Sequence, residues 1–344
     1  MIKSMESKEA IENQMRVVIP YSRNKIYEII ANTIKFDDRD SKVFYILHKI
    51  FNTETFYLIK ILKMPADLIE DNIKSLDRLT DSVIYSGCTE YNNVINNEID
   101  IYADIFSELH NKIFYSSDIS SSFKKSFFLK TINLFLSISK LKPQNITKLY
   151  ALISHICFIS SKITAAFDKY NRQIALREQD RSKWDRKLIN KGLGYLDKSA
   201  AGDYITLYHL KAAVSACHCL SKSYEDTDWH KILSLYDQYL QFDNSAHVEL
   251  QRAIVISKIK SPDLGLEIAE AIKYNKDLDK HPILYSTLAN FHLQLHNYEQ
   301  ALDNYKTAYR LSEIGIEKSF YNNKIKICDK RIKMMNRYYL NKSF

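Results

Sequence analysis

Two histidine and cysteine groupings have the residue types for chemistry. His292 and His296 stand four apart in a segment of helical apolar period, which would place both imidazoles on one face, as a metal site needs. A zinc-hydrolase pattern also needs Glu directly after the first His; Leu293 stands there, and no third ligand accompanies the pair. Cys217, His218 and Cys219 are consecutive, so on a helix they point in different directions and cannot converge on one ion. With Cys88, Cys157 and Cys328 they make an odd, scattered set without CxxC spacing, the usage of reduced thiols in a cytoplasmic protein. The chain carries neither a Gly-rich phosphate loop nor a G-x-S-x-G nucleophile turn. Neither an enzyme nor a bound cofactor or metal is expected.

Nucleic-acid chemistry is the other possibility in the residues. Val43, Ile46, Leu47 and Ile50 fall at i, i+3, i+4, i+7, and Phe56, Ile59 and Leu62 continue the pattern after a cap expected near Asn52–Thr53. Pro65, a first-turn proline, then opens a helix marked by Leu68, Ile69, Ile73 and Leu76. Two short helices, a tight break and a third helix are compatible with a helix-turn-helix. Base reading from that third helix would fall to Asn72 and Arg78, with Lys74 a lesser candidate. Yet the same segment carries Asp67, Glu70, Asp71 and Asp77, and an acidic helix opposes the phosphate neutralisation on which DNA affinity rests.

The elements that must hold such groups are helical throughout. The chain of 344 residues has only six Gly and five Pro, too few for a turn-rich β fold, and the expectation is an all-α protein. Residues 1–25 form a polar leader interrupted by Pro20, with no apolar stretch of a secretory signal. Residues 26–85 form the helix-turn-helix-like unit, and 86–190 a helical connecting domain. In the latter, Tyr102, Ile105, Phe106, Leu109 and Ile113 make one stripe, and Phe123, Phe127, Leu134 and Ile138 a second. Leu149, Leu152, Ile153 and Ile156 make a third, and the aromatics Phe127, Phe128 and Phe135 are read as core. The most apolar run, 149–167, is interrupted by His155, Lys162 and several serines, so no membrane partner is expected.

From Tyr204 the chain becomes periodic. Helix starts near Asp228, Asp263 and Tyr298 recur in steps of 35 residues, close to the spacing of tetratricopeptide repeats. The expected helices are 208–219, 229–240, 248–259, 264–272, 284–295 and 298–311. Small residues such as Ala301 and Ala308 let paired helices approach closely. Residues 191–344 are thus a helical-repeat array, an α-solenoid. It closes on a basic helix, since Lys318 to Phe344 holds eight Lys/Arg against Asp329. Such a helix is a solvated cap or a contact for nucleic acid or an acidic partner.

The pivot between the two halves is Gln179-Asp180-Arg181-Ser182-Lys183-Trp184-Asp185. Ser182 with Asp185 three residues on fits a capping box, Arg181 and Asp185 stand four apart as a possible pair, and Trp184 with Leu188, Ile189 and Leu193 gives a packed face. This cluster is read as a joint, with Trp184 the wedge between the middle domain and the repeats. The segment resembles the Gln-Asp-Arg-Ser-x-Trp-Asp stretch of a bacterial family, the extracytoplasmic-function RNA polymerase sigma factors with a C-terminal tetratricopeptide-repeat extension. Downstream, Tyr208-His209-Leu210-Lys211-Ala212-Ala213-Val214 resembles that family's Tyr-x-Leu-x-Ala-Ala-Ile, and Thr227-Asp228-Trp229 with Ile232, Leu235, Tyr236 and Asp237 resembles its next motif. The resemblance implies that 26–80 correspond to the promoter-reading region and that promoter DNA, RNA polymerase or a regulatory protein are partners. It also implies that the family's long polymerase-docking region has no counterpart here. The expectation is a truncated sigma-factor-like regulator acting through its repeats, or, as the alternative, a repeat scaffold that binds no DNA.

Overall fold

The computed structural model describes residues 39–47, 51, 53–80, 91–114, 116, 119–313 and 315–342. Among them the fold is all-α, with no strand; the polar leader, the short apolar face expected from Ile26, Ile29 and Ile30, and Ile50, Asn52 and Cys88 lie outside the described residues. Helices α1 (Arg39–Tyr45), α2 (Thr55–Leu62) and α3 (Ala66–Thr80) come first. Helix α2 ends on Lys63 in the left-handed conformation, and α3 begins one residue after Pro65 rather than on it. Glu54 occupies the N-cap of α2 without a side-chain cap, in place of the expected Asn52–Thr53 cap.

Helices α4 (Tyr91–Phe114), α5 (Ser121–Ser139), α6 (Ile146–Ser161) and the single turn α7 (Ile163–Ala166) complete the front half. Their stripes close one continuous core that includes α1–α3. The Phe51 ring lies 5.6 Å from Phe106 and 5.2 Å from Phe127, and Tyr57 stacks on Phe123 at 4.0 Å. The N-terminal helices therefore share their interior with the connecting helices, because each short amphipathic helix needs a surface to cover its apolar side.

Helix α6 is the hub, packing against α5, α8 (Arg186–Ser199) and α9 (Leu207–Leu220). Its approach to α8 depends on Gly192: a Cβ there would lie 2.8 Å from the Phe158 ring, and Ser154 Oγ donates to the Gly192 carbonyl at 2.8 Å. Beyond α9 each helix packs on the next: α10 (Trp229–Tyr239), α11 (Ala246–Ile259), α12 (Pro262–Ala271), α13 (Pro282–Gln294), α14 (Tyr298–Leu311) and α15 (Gly315–Lys342). Close pairing rests on small residues, as expected. Ala289, Ala301 and Ala308 are fully buried, and a Cβ on Gly265 would meet Ser257 Cβ at 2.6 Å.

One buried group in the front half costs stability. Lys124 is fully buried, its Nζ 3.8 Å from the Phe167 ring centroid with no hydrogen-bond acceptor, and burial lowers its pKa to about 8. Keeping that ammonium charged at neutral pH costs about 3 kcal/mol, of which the ring face returns about 1–2 kcal/mol. Between pH 8 and 10.5 the unfolded chain binds the proton that the folded chain has lost, so stability rises with pH in that window. Lys124→Met is expected to raise stability at pH 7 by about 1–2 kcal/mol and to flatten that rise, measured by urea unfolding across the pH range.

Candidate functional site

The segment between α7 and α8 is built by competing local caps. Asp180 Oδ1 accepts from the Ser182 amide at 3.0 Å and its hydroxyl at 2.6 Å, closing a 3-10 turn over Arg181–Lys183. These bonds hold the Asp180 carboxyl below the usual carboxylate range. The Asp185 amide donates to the Ser161 carbonyl at 2.9 Å, and its carboxylate accepts from Lys187 and Leu188 at 3.1 Å. Asp185 is thus the N-cap of α8, and the Ser182 capping box is not formed.

Arg181 turns away from Asp185, so that expected pair is absent as well; Asp185 instead faces Lys125 at 3.8 Å. Arg181 Nη1 donates to the His218 and Ser221 carbonyls, at 2.6 and 2.9 Å, at the C-terminal end of α9. Its guanidinium lies 4.6 Å from the Trp184 ring centroid. Trp184 is buried among Phe158, Ala165, Ile189, Ala216 and Cys219, which brings α6, α7, α8 and α9 to one ring. Gln179 Nε2 donates to the Ile174 carbonyl at 3.1 Å. Cys219 lies in this core, 3.9 Å from the Phe158 carbonyl, and burial pushes its thiol pKa up.

Below the pivot the array encloses a groove of about 570 Å³ between residues 175–178 on one side and α15 on the other. Asp228 caps α10 by accepting from the Lys231 amide at 2.9 Å, which sets Trp229 at the helix start, edge-on to His218 at 5.5 Å and Tyr224 at 5.0 Å. Trp229 and Tyr236, seven apart on α10, form the aromatic wall, and Phe320 of α15 also lines the groove. Burial, then the charges of Lys162 and Arg181, push the His218 pKa to about 3, so a neutral imidazole faces the groove.

The groove's charge is mostly positive. Arg177, Lys258 and Lys324 line it against one acid, Glu178. Arg177 pairs outward with Glu225 at 3.0 Å, and Lys324 reaches Glu178 at 3.6 Å. Lys258 donates to Gln294 Oε1 at 3.3 Å; burial, then repulsion from Arg177, lowers its pKa. Gln251 and Asn290 supply amides along the same wall. A channel of mixed polarity with aromatic sides, amides and an under-compensated cation suits an extended peptide carrying acidic side chains.

The expected DNA-reading residues stand elsewhere. On α3, Asn72 is half-buried, and Lys74 is exposed and paired with Asp71 at 3.6 Å; the Arg78 side chain lies outside the described residues. Asp67, Glu70 and Asp71 are exposed on that helix. His292 and His296 do not share a helix face, because α13 ends at Gln294 and His296 takes a left-handed φ of 61°. Among the described residues no three His, Cys, Asp or Glu side chains are grouped to hold a metal. No helix among them is long and apolar enough to cross a membrane.

Spacing alone did not reveal Arg177, Lys258 or Lys324 as a set, because they come from three segments far apart in the chain. The motif residues Trp229 and Tyr236 were visible, though not the wall they form.

Residues 103–200, from within α4 to the end of α8, match a family of unknown function (DUF6596). The family match takes in the pivot and, of the groove lining, residues 175–178. An uncharacterized protein of Rhizobium meliloti (strain 1021) is 32% identical over 112 residues, 33% of this chain. The match spans about a quarter of that relative, 26% of its length. No solved structure matches the chain.

Proposed function

We propose that the protein is a sigma-factor-related transcription regulator that acts through its repeat groove, which receives an extended, acidic segment of a partner protein. The carrying observation is the groove itself: an aromatic wall of Trp229 and Tyr236 with Lys258 held under-compensated beside Arg177. The sequence resemblance makes RNA polymerase the first partner to test. A photo-crosslinking residue at Gln251 of the full-length protein, mixed with purified polymerase, is expected to capture a subunit. Lys258→Glu should cut that yield about 10-fold, the loss of one charge-assisted contact. Equal capture by the K258E variant would remove the groove from the interface, and no capture would remove polymerase as the partner.

A second reading, promoter binding by α2 and α3, is favoured by the left-handed Lys63 between them, the turn of a helix-turn-helix. It predicts a gel shift with promoter DNA that strengthens at low salt and weakens on Asn72→Ala. The exposed acids of α3 favour the groove reading instead, which predicts no shift even at low ionic strength.

A further inference from the structure

A second cavity, of about 210 Å³, lies apart from the groove, between α4, α5 and α6 on one side and α9 on the other. All of its lining except Lys211 falls within residues 103–200, and Lys211 comes from the first helix of the array. Phe106, Phe127 and Phe128 form an aromatic box, with Phe106 and Phe127 6.3 Å apart, Phe127 and Phe128 5.5 Å apart and close to perpendicular. His110 meets Phe128 edge-on at 5.0 Å, and Leu152 and Ile156 complete the apolar wall. Rings and edges in this arrangement accept one more aromatic ring by the same offset and edge-to-face preferences. An apolar cavity of about 150 Å³ is enough for benzene, so this volume holds one ring and a small substituent.

The polar groups say what the substituent is. His155 keeps accessible surface although it sits deep in the protein, and that surface is the cavity wall. It is tied to α9 through Ser215 Oγ at 3.1 Å and kept neutral by burial, with a pKa of about 3. The Thr131 hydroxyl is spent on the Phe127 carbonyl at 3.0 Å. That leaves Lys211 as the cation of the lining. Its Nζ lies 5.6 Å from the Tyr208 ring centroid, Asp104 and Asp243 attract it only at longer range, and it forms no salt bridge among the described residues. A desolvated lysine in the lining of an aromatic cavity is matched by an anion attached to a ring.

We propose that this cavity binds a small single-ring aromatic carboxylate, its ring against Phe106, Phe127 and Phe128 and its carboxylate on Lys211. Such a ligand bridges the connecting helices and the first helix of the array, so its binding stiffens the joint on which the groove depends. The inference does not rest on the groove's partner.

The test uses the full-length protein and fluorine NMR with 4-fluorobenzoate and 4-fluorotoluene as probes. The parent is expected to bind 4-fluorobenzoate saturably and at least about 10-fold more tightly than 4-fluorotoluene. Lys211→Met should bring the two to parity, and Ile159→Phe, which fills the cavity from its edge, should abolish both. Should Ile159→Phe misfold, displacement of 4-fluorobenzoate from the parent by unlabelled benzoate serves in its place. Absence of saturable binding, parity of the probes in the parent, or an unchanged preference in the K211M variant would each overturn the proposal.

Discussion

Replacing Trp184 by Ala is expected to cost about 3–5 kcal/mol of stability. The ring is buried to 3% in a cluster to which α6, α7, α8 and α9 all contribute, so no one helix can collapse into the space without leaving another. Arg181 lies 4.6 Å and Lys162 5.3 Å from its centroid, and both cations lose the ring face with it. Its indole Nε1 is buried with no acceptor, so Trp184→Phe loses volume but no hydrogen bond and is expected to cost only about 1–2 kcal/mol. The chain has two tryptophans, so in the Phe variant fluorescence reports Trp229 in the groove wall alone. Urea unfolding followed by circular dichroism measures the first effect, and a loss under about 1 kcal/mol for the Ala variant would mean that the four helices are held elsewhere.

The C-terminal helices were legible because pattern and punctuation agree there. Residues 298–311 carry an apolar stripe, small residues at the contact and breaks at both ends, and α14 spans the same residues. Pro262 and Pro282 begin α12 and α13 two residues before the apolar stripe alone suggests, since proline at the first turn needs no donor. The pivot was less legible. Asp180, Ser182 and Asp185 are all able caps, and the choice is made by a distant bond from the Asp185 amide to the Ser161 carbonyl, which spacing cannot show. The groove and the cavity were hidden for the same reason. Lys211 and His155 lie on separate helices, and Arg177, Lys258 and Lys324 on separate segments, so each set exists only after packing. The acids of α3 were plain in the sequence, and the Asp71–Lys74 pair adds that one of its bases is already engaged.

Arg181→Met is expected to cost about 2–3 kcal/mol and to loosen one end of one helix. The last carbonyls of any helix lack partners within it, and the negative end of the dipole favours a cation. Here Arg181 Nη1 serves the His218 and Ser221 carbonyls together, while Ser221 Oγ donates to the Cys217 carbonyl at 2.6 Å. Met keeps most of the stem against Trp184 but leaves both carbonyls without their donor, each a charge-assisted bond worth about 1.5–3 kcal/mol. The gross loss is partly offset, because Arg181 Nη2 is buried without an acceptor and its desolvation cost disappears with the charge. Hydrogen exchange is the decisive measurement. Faster exchange should be confined to the last turn of α9 and the start of α10, and leave α13 and α14 unchanged. His218 and Trp229 stand on those two stretches and face the groove, so the same variant should weaken capture at Gln251 although no groove side chain is altered. A variant that loses stability evenly along the chain, with the groove's capture intact, would mean that Arg181 supports the whole fold and does not set the groove's edge.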